Sequence, residues 1–119
     1  MNHHIRSIRT FIGAKDFNES RAFYTAFGFK EVHLGNMSLF KQGNFGFYLQ
    51  KAYVKDWVDN SMIFLEVQNT ELHRNAILAL NLKEQFPKVR ISEIVKNDWG
   101  EEYFVHDPSG ILWHIGEFY

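Results

Sequence analysis

One stretch of the chain is a physical copy of another, and this limits the fold more than any single motif does. Arg9–Phe29 aligns without a gap on Met62–Leu82, an offset of 53. Ile12 falls on Leu65, Ala14 on Val67, Ala26 on Ala79, Phe27 on Leu80 and Phe29 on Leu82. Asp16 falls on Asn69, and both residue types cap helix N-termini. Gly28 falls on Asn81, and both tolerate the left-handed backbone just past a helix end. The copies share physical roles more than identities, as a diverged duplication would.

Each copy opens with an apolar strand, over 7–14 and 61–67, and continues into a helix. Asp16 with Glu19 forms a capping box at the first helix. Ala22, Phe23, Ala26 and Phe27 give that helix an apolar face, and Leu72, Ala76, Ile77 and Leu80 do the same in the second. Short strands follow, over 29–34, 37–42 and 45–51, then over 89–95, 102–106 and 111–118. Turn signals at Gly35-Asn36, Gly43-Asn44, Asn97-Asp98 and Asp107-Pro108-Ser109-Gly110 separate them. The pattern is β-α-β-β-β twice: an α+β domain spanning 1–119. Module one covers about 5–51, a linker 52–60 and module two about 61–119.

The length of 119 residues suits one domain. Aromatics make up 17% of it, enough either to fill a core or to line a ligand cavity. A net charge of −1 without a basic block argues against nucleic acid as a partner. With no Cys, thiol chemistry and disulfides are excluded, and a metal would need His, carboxylate, Tyr or backbone oxygen. The N-terminal MNHHIRSIR has no apolar run of a signal peptide, and no segment approaches the length of a membrane span. A cytoplasmic protein is the expectation.

Three stretches resemble the vicinal oxygen chelate superfamily, which includes glyoxalases, extradiol dioxygenases and bleomycin-resistance proteins. They are KDFNESRAFYTAFGFKEV at 15–32, the repeat itself, and WGEEYFVHDPSGILWHIGEF at 99–118. The resemblance implies two βαβββ modules related by pseudo-two-fold symmetry. A curved mixed sheet encloses a cavity, with helices on its outer face. It also implies a homodimer, in which halves of different chains close each cavity.

Enzymes of that superfamily hold a divalent metal (Fe, Mn, Ni or Zn) in the cavity, with ligands from the first and last strands of each half. Carried over, those positions are Arg9, Tyr48, Met62 and His114. Only His114 is an ordinary ligand. Arg9 has no lone pair to give, and Met62 is too soft for hard cations. The departure points toward the metal-free, bleomycin-resistance-like branch, which binds a bulky ligand without chemistry.

Strand alternation, with the resemblance, assigns the cavity lining. Arg9 and Phe11 come from the first strand, Glu102 and Phe104 from 102–106, and His114 from the last, with Trp113 turned into the core. Tyr48, Met62 and Trp99 complete the expected set, with Glu102 as one possible counter-charge for Arg9. His33, His73 and His106 have no spacing partner, and His73 is expected to be exposed. Two readings follow. One is a protein that binds a small, partly aromatic molecule, with no cofactor and an antibiotic-resistance role of the sequestering kind. The other is a metal-dependent lyase, isomerase or dioxygenase with His114 as one ligand, joined by Glu102 and by Tyr48 or His106. A domain that has lost both roles is the third.

Overall fold

A computed structural model describes residues 3–119; Met1 and Asn2, part of the N-terminal stretch read above as no signal peptide, lie outside them. The first half contains β1 (Phe11–Gly13), α1 (Phe17–Ala26), β2 (Lys30–His33), β3 (Met37–Gln42) and β4 (Phe45–Gln50). A short helix, α2 (Lys55–Asp59), leads to the second half. There β5 (Met62–Glu66) is followed by α3 (Thr70–Ala79) and α4 (Leu82–Gln85). Then come β6 (Arg90–Ile91), β7 (Val95–Lys96), β8 (Gly100–His106) and β9 (Leu112–Phe118).

The repeat is visible in the strand pairing. One sheet runs β1-β4-β3-β2 and the other β5-β9-β8-β6, with β7 also on β8. In each, the opening strand lies parallel to the closing one and the remaining pairs are antiparallel. Phe11 pairs with Tyr48, and 53 residues on, Phe64 pairs with His114. Both sheets are therefore mixed, as expected from a duplicated βαβββ unit.

Local chemistry explains the helix ends. Asp16 accepts a 3.0 Å bond from the Glu19 amide, and Asn69 accepts one of the same length from Leu72. Each satisfies one of the orphan donors of a first turn. Gly28 and Asn81 have φ of 113° and 53°, the left-handed backbone that ends each helix.

The core lies on one face of the sheets. Phe23, Tyr24 and Phe27 of α1 pack on Phe29, Phe40 and Phe47 and on Trp113 of the second half. Burial of such side chains contributes about 1.5–3 kcal/mol each. Trp113 is core, as alternation requires. Its Nε1 donates to the Tyr24 hydroxyl at 2.9 Å, which donates to Asp107 at 2.6 Å. The other oxygen of Asp107 takes the amides of Ser109, Gly110 and Ile111 at 2.8–2.9 Å. The Asp-Pro-Ser-Gly turn of one half is thus tied to the helix of the other.

Several expectations need correction. The first strand is three residues long, not eight: Ile8 is 97% exposed and Thr10 adds only its carbonyl, taken by the Tyr48 amide. The strand over 89–95 is split into β6 and β7. Ser92 Oγ accepts from the Phe104 amide at 2.8 Å, so a side chain takes the place of a ladder carbonyl. The linker holds a helix, with Val58 buried and a Lys55–Asp59 pair on its surface. Of the apolar residues assigned to the face of α3, only Ile77 is buried; Leu72 is 66% exposed. His73 is half-buried, its Nδ1 2.6 Å from the Tyr103 hydroxyl.

Candidate functional site

The face opposite the core carries the site. Along β8 and β9, the residues not used by the core are Glu102, Phe104 and His106, then Leu112, His114, Gly116 and Phe118. Cross-strand register arranges them in rows. The first row is Arg90–His106–Leu112–Met62. The second is Ser92–Phe104–His114–Phe64, with Ser92 joined to Phe104 through the bonds above. The third is Val95–Glu102–Gly116–Glu66.

The centre of this face is polar and ordered. Glu102 is only 7% exposed, yet both its oxygens are bonded. Oε1 lies 2.7 Å from His114 Nδ1, and Oε2 accepts from Asn97 Nδ2 at 2.8 Å. Buried carboxylates require such partners. The contact fixes the imidazole plane, leaving Nε2 on the Met62 side, 3.4 Å from the sulfur. Phe104 meets the ring edge to face at 5.0 Å, and Phe64 stacks on it at 6.3 Å. Phe64 continues into Trp99 and Phe118, with centroids 5.1–5.8 Å apart.

The surround is apolar and open. Met62 is 66% exposed and Phe64 41%. At the first-row end, an open groove of about 450 Å³ is lined by Arg90, Ile91, Ser92, Phe104, His106 and Leu112. Burial, with Arg90 adding to it, holds His106 below the ordinary imidazole value.

The first sheet presents the matching face. Phe11 is 51% exposed and stacks on Tyr48 at 4.8 Å. Arg9, just before β1, is half-buried, and its Nε is enclosed without a hydrogen-bond partner among the described residues. The suggested Arg9–Glu102 pairing is not made: Glu102 is bonded to His114 and Asn97, in the other sheet.

Met62, Trp99, Glu102, Phe104 and His114 are therefore brought together, while Phe11 and Tyr48 form a separate pair. Sequence reasoning set Leu112 on the face of His114 and His106 on that of Glu102 and Phe104, but carried neither into the expected ligand-binding set, and it gave Arg90 no role. Arg90 carried no signal of its own, because its strand is two residues long.

No protein-family model matches the sequence, and no curated protein matches it. Solved structures do. A bleomycin-binding protein from Streptomyces verticillus, solved with copper(II)-bleomycin, superposes with a TM-score of 0.77 at 14% identity, over 97% of this chain and 98% of that one. The fold is that of the bleomycin-binding and glyoxalase proteins. A bleomycin resistance determinant encoded on transposon Tn5 gives 0.76 at 18% identity, over 94% and 98%. Lactoylglutathione lyase from Agrobacterium tumefaciens gives 0.64 at 16%, over 95% and 94%.

The four positions that the resemblance assigns to a metal are Arg9, Tyr48, Met62 and His114. Arg9 precedes β1 and Tyr48 lies on β4 of one sheet, and Met62 and His114 are their counterparts in the other half. A permanent guanidinium cation, a phenol, a thioether and one imidazole do not make a donor set for a hard or borderline divalent ion. Glu102 uses its oxygens on His114 and Asn97. Among the described residues no group of three His, Cys, Asp or Glu is placed to hold an ion. The residues do not fit the metal of the glyoxalase enzymes. Among the described residues, no helix is long and apolar enough to cross a membrane.

Proposed function

We propose that this protein binds a small, partly aromatic molecule against the face of β5, β8 and β9, and that it does so without a metal. One observation carries the reading: an apolar wall of exposed Met62 and Phe64 and half-buried Phe104 and Leu112 lies around an oriented polar group, His114 held by Glu102. Apolar lining with a few fixed polar groups is the usual composition of a ligand site. Two solved proteins of this fold are described as binding bleomycin, which supports sequestration of a bulky compound. The exposure of Phe11, Met62 and Phe64 supports a homodimer in which one copy's Phe11–Tyr48 face covers the other's His114 face.

A thermal-shift screen of flat, partly aromatic compounds tests the binding reading, with light scattering for the dimer. Stabilisation lost in His114→Ala is expected. Elemental analysis after incubation with Fe, Mn, Ni and Zn tests the other reading. One retained equivalent of metal, lost in His114→Ala, would favour a metal-dependent lyase, isomerase or dioxygenase instead.

A further inference from the structure

Arg90 is an exposed cation on the edge of an apolar groove, without a counter-charge among the described residues. Among the described residues no carboxylate lies within ion-pair distance of it. The acids nearby are committed or distant: Glu102 is bonded to His114 and Asn97, and Glu93 faces Arg74 at 3.5 Å. Glu66 stands at the far end of β5 from Met62, which closes the row of Arg90. Opposite Arg90 across the ladder is His106, and the wall beyond is Phe104 and Leu112. A guanidinium against apolar surface attracts an anion more strongly than one in bulk water, and its fork matches carboxylate and sulfonate oxygens.

We infer that Arg90, with His106 beside it, anchors the anionic end of the ligand, and that the ligand class is a flat aromatic acid whose ring lies on Phe104 and Leu112 toward His114. This rests on the binding reading above. The face would then read a ligand along its length, with the acid at the first row, the ring on the second and a donor toward the His114–Glu102 pair.

Two fluorescent probes of the same shape separate the claims: 8-anilino-1-naphthalenesulfonate, an anion, and N-phenyl-1-naphthylamine, which is neutral. Each is titrated into the full chain, into Arg90→Gln, into Arg90→Lys and into Lys83→Gln, a surface control on α4. The expected result is a loss of about tenfold or more for the anionic probe in Arg90→Gln, the scale of one charged hydrogen bond. The neutral probe should change less than about twofold by the same scale. Arg90→Lys should recover part of the loss, and Lys83→Gln should change neither probe. Equal affinities for the two probes, or an equal effect of Lys83→Gln, would overturn the anion site alone. Failure of both probes to bind the unaltered chain would overturn the binding reading and the anion site with it.

Discussion

Gly116 stands directly across the ladder from Glu102, and the missing side chain leaves room for that glutamate. A Cβ at 116 would lie 2.4 Å from the Glu101 carbonyl oxygen and 2.9 Å from Glu102 Cβ. Gly116→Ala should therefore cost about 1–3 kcal/mol, as overpacking does. It should also disturb the Glu102–His114 bond. Urea denaturation reads the first effect and the His114 ring signals in NMR the second. Unchanged stability would show that the strands part without strain.

Tyr24 is one link between the halves, beside the bond from the Lys15 amide to Ser109 Oγ. Tyr24→Phe keeps the ring but removes the donor to Asp107 and the acceptor for Trp113 Nε1. Burial already raises the Asp107 carboxyl above its ordinary value, against the pull of the Tyr24 and backbone bonds. Leaving one buried oxygen unpaired should cost about 1–3 kcal/mol, measurable in the denaturation midpoint.

Arg9→Met should behave in the opposite way. The enclosed Nε has no partner among the described residues, and an unpaired buried donor is a cost that a thioether does not bear. Stability of the free chain should stay level or rise by up to about 1 kcal/mol. A clear loss would mean that Arg9 finds a partner in solution.

Acid should loosen the fold in a defined window. Burial holds His73 below the ordinary imidazole value of 6.5, and burial with Arg90 does so for His106. Both bind protons more readily when unfolded, so their contribution is complete above pH 6.5 and is lost as pH falls toward the folded values. Melting temperature should be level at pH 7–8 and decline below about 6.5, with a shallower decline in His73→Gln. A profile indifferent to that variant would remove His73 from the account.

The parts legible in the sequence were those set by local chemistry or by period. The caps at Asp16 and Asn69, the left-handed Gly28 and Asn81 and the strand at 37–42 follow from neighbours a few residues away, and the inward turn of Trp113 from alternation with the resemblance. Alternation put Glu102 with Phe104 and set His114 opposite Trp113, and the resemblance turned both sets to one side. Contacts across long separations were hidden. Tyr24 and Asp107 are 83 residues apart, and nothing local marks their bond. Short elements were missed or merged because period needs length: α2 has five residues and α4 four, and β6 and β7, of two each, were read as one strand. The apolar residues of α3 misled because a helix period reports amphipathicity but not whether anything covers the face.

The two halves place a ring pair in the same slot, Phe11 on Tyr48 and Phe64 on His114, with planes 23° and 21° apart. The backbone has kept its geometry while the functional groups have diverged, to a phenol in one copy and an imidazole in the other. A symmetrical molecule would gain nothing from the difference. On the proposed binding reading, a compound with unlike ends would fit one way round, and the duplication would let the site distinguish head from tail.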